Sequence, residues 1–380
     1  MDAMNEQAKD RTSGRDLRLD LFRGLANWAI FLDHVPNNIV AWVTARNYGF
    51  SDAAELFVFV SGFTVAFVYG RMMRAKGFIA ASVGVLGRVW KIYVAYILLF
   101  VFYVVAIGYV AQRYGHAHLL DEFNIRRLIA EPVEFLKHGL LLEYRPLNLD
   151  VLPLYIVLMA PFPSVLWLLM RAPNGTLVAS LLLYIAARQF GWNLSGYPAG
   201  TWYFNPFAWQ LLFVIGAWVS VGDPAKLRRL LQSAIVMPLC IAVLVVSAVV
   251  TVAAHTGQEG LLPDLIRALF IPNDKTNLAP YRILHFLALA IVVVRLVPKG
   301  TAALEWPVWR PLIVCGQHSL EVFCAGVFLA FVAYFAIHLV SDAFWFQLLI
   351  SLGGIAAMIG VAYFRKWAKG DKVRPVAAAG

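Results

Sequence analysis

Apolar runs of about 20 residues recur along the whole of this 380-residue chain, parted by short charged segments. A bilayer core is about 30 Å thick, so a helix rising 1.5 Å per residue needs about 20 apolar residues to cross it. With 61% hydrophobic residues, 14% charged residues and a mean hydropathy of +0.70, no water-soluble fold could bury so much apolar surface. The runs lie at about 18–42, 50–70, 89–112, 149–170, 176–192, 205–222, 233–254, 281–298, 312–338 and 343–365. They predict an all-α polytopic membrane protein of about ten transmembrane helices, which puts both termini on one side.

Charge decides which side. Of the 32 Lys and Arg, 21 fall in the tail to Arg18, in Arg71–Lys91, at Arg171, and in Lys226–Arg229, Arg295–Arg310 and Arg365–Arg374. Ten lie in the alternate loops, and Arg23 lies inside a span. The positive-inside rule makes the first group, and hence both termini, cytoplasmic. The net charge of +10 is then mostly topology. The basic residues are parcelled among short loops, which argues against nucleic acid as a partner. The charged N-terminus runs straight into a full-length span, so no cleavable signal is expected. Cys240, Cys315 and Cys324 have no metal-ligand spacing and read as reduced core residues. His116 and His118 lack a third ligand nearby, and no metal is expected. The long outer loop 113–148 carries a helical pattern suited to one or two short interfacial helices, and 254–281, broken by prolines, reads as an ordered lid.

Ionisable residues within a membrane helix are costly and mark functional sites by default. In the first run, Asp20, Arg23, Asn27, His34 and Asn38 fall on one helical face, and Asp33 points about 100° away from His34. Asp52 and Glu55 enter the second run one turn apart, where a carboxylate could orient an imidazole and favour its protonated form. Asp52 is equally suited to cap that helix. Arg88 and Lys91 share a face at the cytoplasmic mouth of the third run, a geometry suited to phosphate, and also to ordinary positive-inside flanking. The outer segment 191–210 supplies Trp202, Tyr203, Asn205, Trp209 and Gln210 as platforms and hydrogen-bonding groups for a sugar, although Trp and Tyr also gather at membrane interfaces for their own reasons.

Five segments carry a resemblance: DLRLDLFRGLANWAIFLDHVPNN, RNYGFSDAAELFVFVSGF, GRVWKIYVAY, WYFNPFAWQLLF and GQHSLEVFC. Together they look like the OpgC family of inner-membrane glucan succinyltransferases. More distantly, Arg88-x-x-Lys91 and the first-span histidine resemble the acyltransferase-3 superfamily, in which a basic pair handles coenzyme A and a membrane histidine acts in acyl transfer. Lys91 stands where that superfamily has a second Arg, and an ammonium lacks the bidentate fork. Gly316 and Ser319 match its Gly-x-x-Ser, with a packing role.

The resemblance implies an O-succinyltransferase of the bacterial inner membrane that uses succinyl-CoA as donor and a periplasmic glucan as acceptor. It implies a single acyltransferase domain over 18–367 between cytoplasmic tails at 1–17 and 368–380. Arg23 and His34 are eleven residues apart, about 16 Å along a helix, comparable to an extended pantetheine arm. A nucleotide held by Arg88, Lys91 and Arg23 would put its thioester near His34, which acts either as general base or as acyl acceptor. The second carboxylate of a succinyl group needs a cation within about 4 Å. Arg46 and Arg282, the latter beside His285, are the candidates. Two rivals remain, an O-acetyltransferase of a cell-envelope glycan and an organic-anion transporter. The transporter predicts paired halves with broken helices, which the sequence does not show.

Overall fold

A computed structural model describes residues 16–113, 126–144, 149–222, 229 and 231–370. The described residues are overwhelmingly helical, and the one β-bridge among them joins Ser195 to Thr201. His116 and His118, most of the N-terminal tail and the residues beyond Gly370 lie outside them.

The helices are α1 (Leu17–Asp33), α2 (Ala53–Arg113), α3 (Arg126–Ala130), α4 (Pro132–Leu140), α5 (Val151–Met159), α6 (Phe162–Arg171) and α7 (Pro173–Phe190). They continue with α8 (Pro206–Val221), α9 (Val236–His255), α10 (Asp264–Phe270), α11 (Pro280–Leu296), α12 (Arg310–Gln317), α13 (Ser319–Leu339) and α14 (Phe344–Gly370). Four of them, α2, α9, α13 and α14, are long and apolar enough to cross a membrane. The pair α5 and α6, bent by 54° at its break, is long and apolar enough only when taken together, as a broken span or a re-entrant loop, and α8 is a shorter apolar helix. The protein is an all-α membrane protein.

Four departures from the sequence reading have local causes. α1 stops at Asp33 instead of running to 42, because Pro36 follows and Asn37 adopts the left-handed region at φ 57°. Asn38 therefore leaves the polar stripe of α1, and its amide donates to Ser351 Oγ at 3.1 Å. The segment 71–88, expected between two spans, is helical on both sides of Gly77, whose φ of 82° needs a residue without Cβ. A Cβ on Gly84 would lie 2.8 Å from the Tyr69 ring; in a straight helix those residues would stand about 22 Å apart, so the two arms of α2 fold back on each other. The run 312–338 is likewise two helices, broken at His318.

The chain forms two compact units. One comprises the described residues up to Ala41 together with 290–370. There α12 runs antiparallel to α1 at close range: a Cβ on Gly24 would fall 2.0 Å from the Leu312 carbonyl oxygen, and one on Gly316 would fall 1.7 Å from that of Asp20. Phe31 lies against Gly354 of α14, within a core that includes Val35, Val314, Val322, Ala330 and Met358.

The other unit is residues 42–289. Its first α2 arm and α8 approach through Gly62, opposite Phe213 O, and Gly216, opposite Phe59 O, where a Cβ would meet those oxygens at 2.0 and 2.2 Å. Small residues at membrane helix contacts let backbones come together, so that dispersion replaces the missing hydrophobic drive. The second arm is clasped by the loop helix α4: Tyr96 donates to Gly139 O at 2.9 Å, and Gly139 lies flat on the Phe100 ring. Two short helices, α3 and α4, thus stand in the loop where a helical pattern was read.

Gly316→Ala and Gly62→Ala are expected to destabilise the protein by about 1–3 kcal/mol through overpacking against backbone. Gly353→Ala, with nothing within 4 Å, should be neutral or slightly stabilising, since Ala is the better helix former. Thermal unfolding in detergent reads all three, and equal melting temperatures would contradict the close approach.

Candidate functional site

The first candidate group belongs to the unit that contains α1. Asp20 and Asn27 are buried, and Arg23, Asp33 and His34 are half-buried. Asn27 donates to Ser319 at 3.4 Å. His34 ends the helix as its C-cap, its amide donating to Ile30 O at 3.1 Å and Phe31 O at 3.3 Å. The residue therefore stands where regular helix gives way to the Pro36–Asn37 turn.

The second group belongs to the other unit and starts from helix capping. Asp52 is the residue before α2, and its Oδ1 accepts from Ala54 N at 2.8 Å. Glu55 reaches back so that its Oε2 accepts from Asp52 N at 2.9 Å. The two side chains thereby satisfy orphan amides at both ends of the first turn, as in a capping box. Their remaining oxygens take cations. Glu55, fully buried, accepts at Oε1 from Arg282 Nε at 2.7 Å and lies 2.6 Å from Arg282 Nη2. Asp52 Oδ2 lies 3.3 Å from that same Nη2 and 2.6 Å from Lys275 Nζ. Two acids and two bases form one neutral cluster, the condition under which charges persist out of water.

His285, on the helix that carries Arg282, completes this corner. Ser51 N donates to its Nδ1 at 3.2 Å and Ser51 Oγ lies 2.7 Å from the same atom. An amide donating to Nδ1 requires that nitrogen to be unprotonated, which leaves the proton on Nε2. Gly49 lies over that edge, where a Cβ would stand 2.3 Å from Nε2. Burial works to lower the pKa of Lys275, but the Asp52 carboxylate together with Tyr203 and Glu55 outweighs it, so the ammonium is held above its ordinary range.

The residues read as a sugar platform are largely built into the fold. Asn205 caps α8 through Phe207 N at 3.1 Å and donates to Trp192 O and Asn277 Oδ1 at 2.7 and 3.0 Å. Trp209, wholly buried, donates from Nε1 to Lys275 O at 3.1 Å. Gln210 is tied to Ser180 at 2.6 and 2.8 Å. Trp202 is buried and Tyr203 is exposed. The bonds of Asn205 to Asn277 and of Trp209 to Lys275 O, with Arg188 on Asp274 at 3.1 Å, clamp the segment 273–278 that presents Lys275. Arg46 is exposed on the turn Ala45–Asn47, and Arg88 and Lys91 are exposed on one face of the second α2 arm.

Sequence reasoning missed Lys275 and Ser51. The only signal for Lys275 was its place in the polar run NDKTN between Pro272 and Pro280.

Arg282→Met should cost about 3–5 kcal/mol, because it strands a buried Glu55 carboxylate. Adding Glu55→Gln should recover part of that loss, and additive losses in the double variant would refute the pairing. Since the Lys275 pKa is raised on folding, its contribution is fully present below the ordinary lysine value and fades as pH climbs past it. Alkaline unfolding midpoints should therefore fall in wild type and move less in Lys275→Met.

Residues 15–370 match the family model described as OpgC protein, nearly the whole chain. No curated protein and no solved structure matches the chain.

Proposed function

Because the chain belongs to the OpgC family, we propose that it is a membrane O-acyltransferase of the bacterial inner membrane, moving a succinyl group from cytoplasmic succinyl-CoA to hydroxyls of periplasmic glucans. The observation that carries this reading is the length of the family match, which takes in every segment bearing a candidate residue.

His34 is the reacting base. It accepts the proton of a sugar hydroxyl as that oxygen attacks the thioester carbonyl; the carbon–sulfur bond breaks, and the thiolate leaves with a proton returned to it. A covalent acyl-histidine would reach the same products in two steps. Arg88 and Lys91, exposed one turn apart, suit the phosphates of coenzyme A, and Arg23 is the further cation proposed for the donor. Asp52 and Glu55 serve by fixing the start of α2. A succinyl carboxylate at Arg282 would face both of those acids, so Arg46 is the better partner for it.

His34→Ala is expected to lower transfer at least 10²-fold in a folded protein. Arg88→Ala and Lys91→Ala should raise the donor KM more than they lower kcat, because phosphate contacts present in ground and transition state are uniform binding. Arg46→Met should reduce transfer from succinyl-CoA while sparing transfer from acetyl-CoA. Steady-state assays on purified protein with each donor check all three. Wild-type turnover in His34→Ala would remove the histidine from the mechanism, and absence of any acyl transfer by the wild type would remove the activity. Reporters fused after Gly380 and within 113–148 should report opposite sides of the membrane; like signals would refute the topology.

A further inference from the structure

The unit that contains α1 has a cleft of about 430 Å3. Its walls are the Pro36–Asn37 turn, the C-terminal end of α13 with Tyr334 and His338, the loop residues Ser341 and Asp342, and Gln347 at the start of α14. None of the residues assigned to catalysis or donor binding lines it. We propose that this cleft holds a sugar residue of the glycan acceptor, with Asn37, His338 and Asp342 bonding its hydroxyls and the stacked rings of Tyr334 and His338 on one side. The proposal rests on the transferase reading above for its link to acyl transfer.

Three observations carry it. The first is the chemistry of the lining. Asn, Ser, Asp, Gln and His supply donors and acceptors in mixed array, as vicinal hydroxyls require, and the rings of Tyr334 and His338 lie parallel, 6° apart in plane with centroids at 5.8 Å. No Lys or Arg lines the cleft. A phosphate or carboxylate ligand would meet Asp342 without a counter-charge, which selects a neutral polyol over coenzyme A or succinate. The volume falls in the range of small-ligand sites and has room for about one or two sugar rings.

The second is that the walls are fixed. Gln347 accepts from Ile39 N at 2.8 Å and donates to Asp342 O at 2.7 Å, so one side chain ties the turn after α1 to the α13–α14 loop. Asn38 adds its bond to Ser351. Between these ties Asn37 stands exposed at φ 57°, a conformation Asn adopts more readily than most residues. A ligand meets a preformed surface and does not have to order it.

The third is the place in the chain. His34 is two residues before Pro36, so its Cα lies within about 7 Å of the cleft wall. A hydroxyl projecting from a ring held there would be presented towards the residue proposed to deprotonate it.

The test uses the full chain in detergent, with a neutral gluco-oligosaccharide titrated by calorimetry and used as acceptor with succinyl-CoA. Asp342→Ala, His338→Ala and Asn37→Gly, the last keeping the positive φ while removing the side chain, should each raise the oligosaccharide Kd and acceptor KM by about tenfold, the loss of one good hydrogen bond. The donor KM should move less than about twofold, as expected for independent sites. Acyl transfer with unchanged acceptor KM in all three variants would overturn the cleft and leave the transferase reading standing. Oligosaccharide binding weakened by these substitutions in a protein that transfers no acyl group would uphold the cleft and defeat the transferase reading. A folded wild type that binds no oligosaccharide would overturn the cleft.

Discussion

A carboxylate with no access to water must be paired, and in this protein that requirement fixes the start of α2. Glu55 is fully buried. One of its oxygens caps the amide of Asp52 and the other takes the Arg282 guanidinium. Two residues more than 220 apart in sequence are thereby held to bonding distance, and Asp52, drawn into the same cluster, takes Lys275 from the outer loop. The pairing need not add net stability over an apolar replacement. It adds direction, because Arg282 of α11 meets both acids at the start of α2.

Elsewhere the constraint is steric. Helices inside a bilayer gain nothing from hydrophobic transfer when they meet, so association depends on how closely their backbones come. Glycine pairs do this in each unit: Gly24 with Gly316 between α1 and α12, and Gly62 with Gly216 between α2 and α8. Any Cβ at these positions would overlap a carbonyl oxygen of the neighbour. Gly326 and Gly354 play a related part, leaving room for Met358 and the Phe31 ring.

These constraints bear on function through α1. Its polar residues stand on a helix whose position in its own unit is set by Gly24, Gly316 and Phe31, and which ends abruptly at His34. A histidine at a helix terminus has its main chain anchored by the last turn, here through the bonds of its amide to Ile30 O and Phe31 O. The separation of roles along the chain follows: charge pairing in 51–55 and 273–285 builds the scaffold, while the proposed site draws on His34 and on the cleft beyond it, whose lining carries Asp342 and neither Lys nor Arg.

The sequence by itself determined the class, an all-α membrane protein, because hydropathy counts residues and needs no partner. It also determined most helix positions to within a few residues, and the polar face of α1 from Asp20 to His34, because helical periodicity is local. The capping role open to Asp52 was legible for the same reason. What only the tertiary structure decided were matters of pairing: that Glu55 and Asp52 belong to Arg282 and Lys275, that Trp209, Asn205 and Gln210 serve the fold, and which glycines meet which carbonyls. The helix ends at Asp33 and His318 and the fold-back at Gly77 were hidden as well. A run of apolar residues reports its transfer free energy and not its dihedral angles, and a charge reports its cost without naming the neighbour that offsets it.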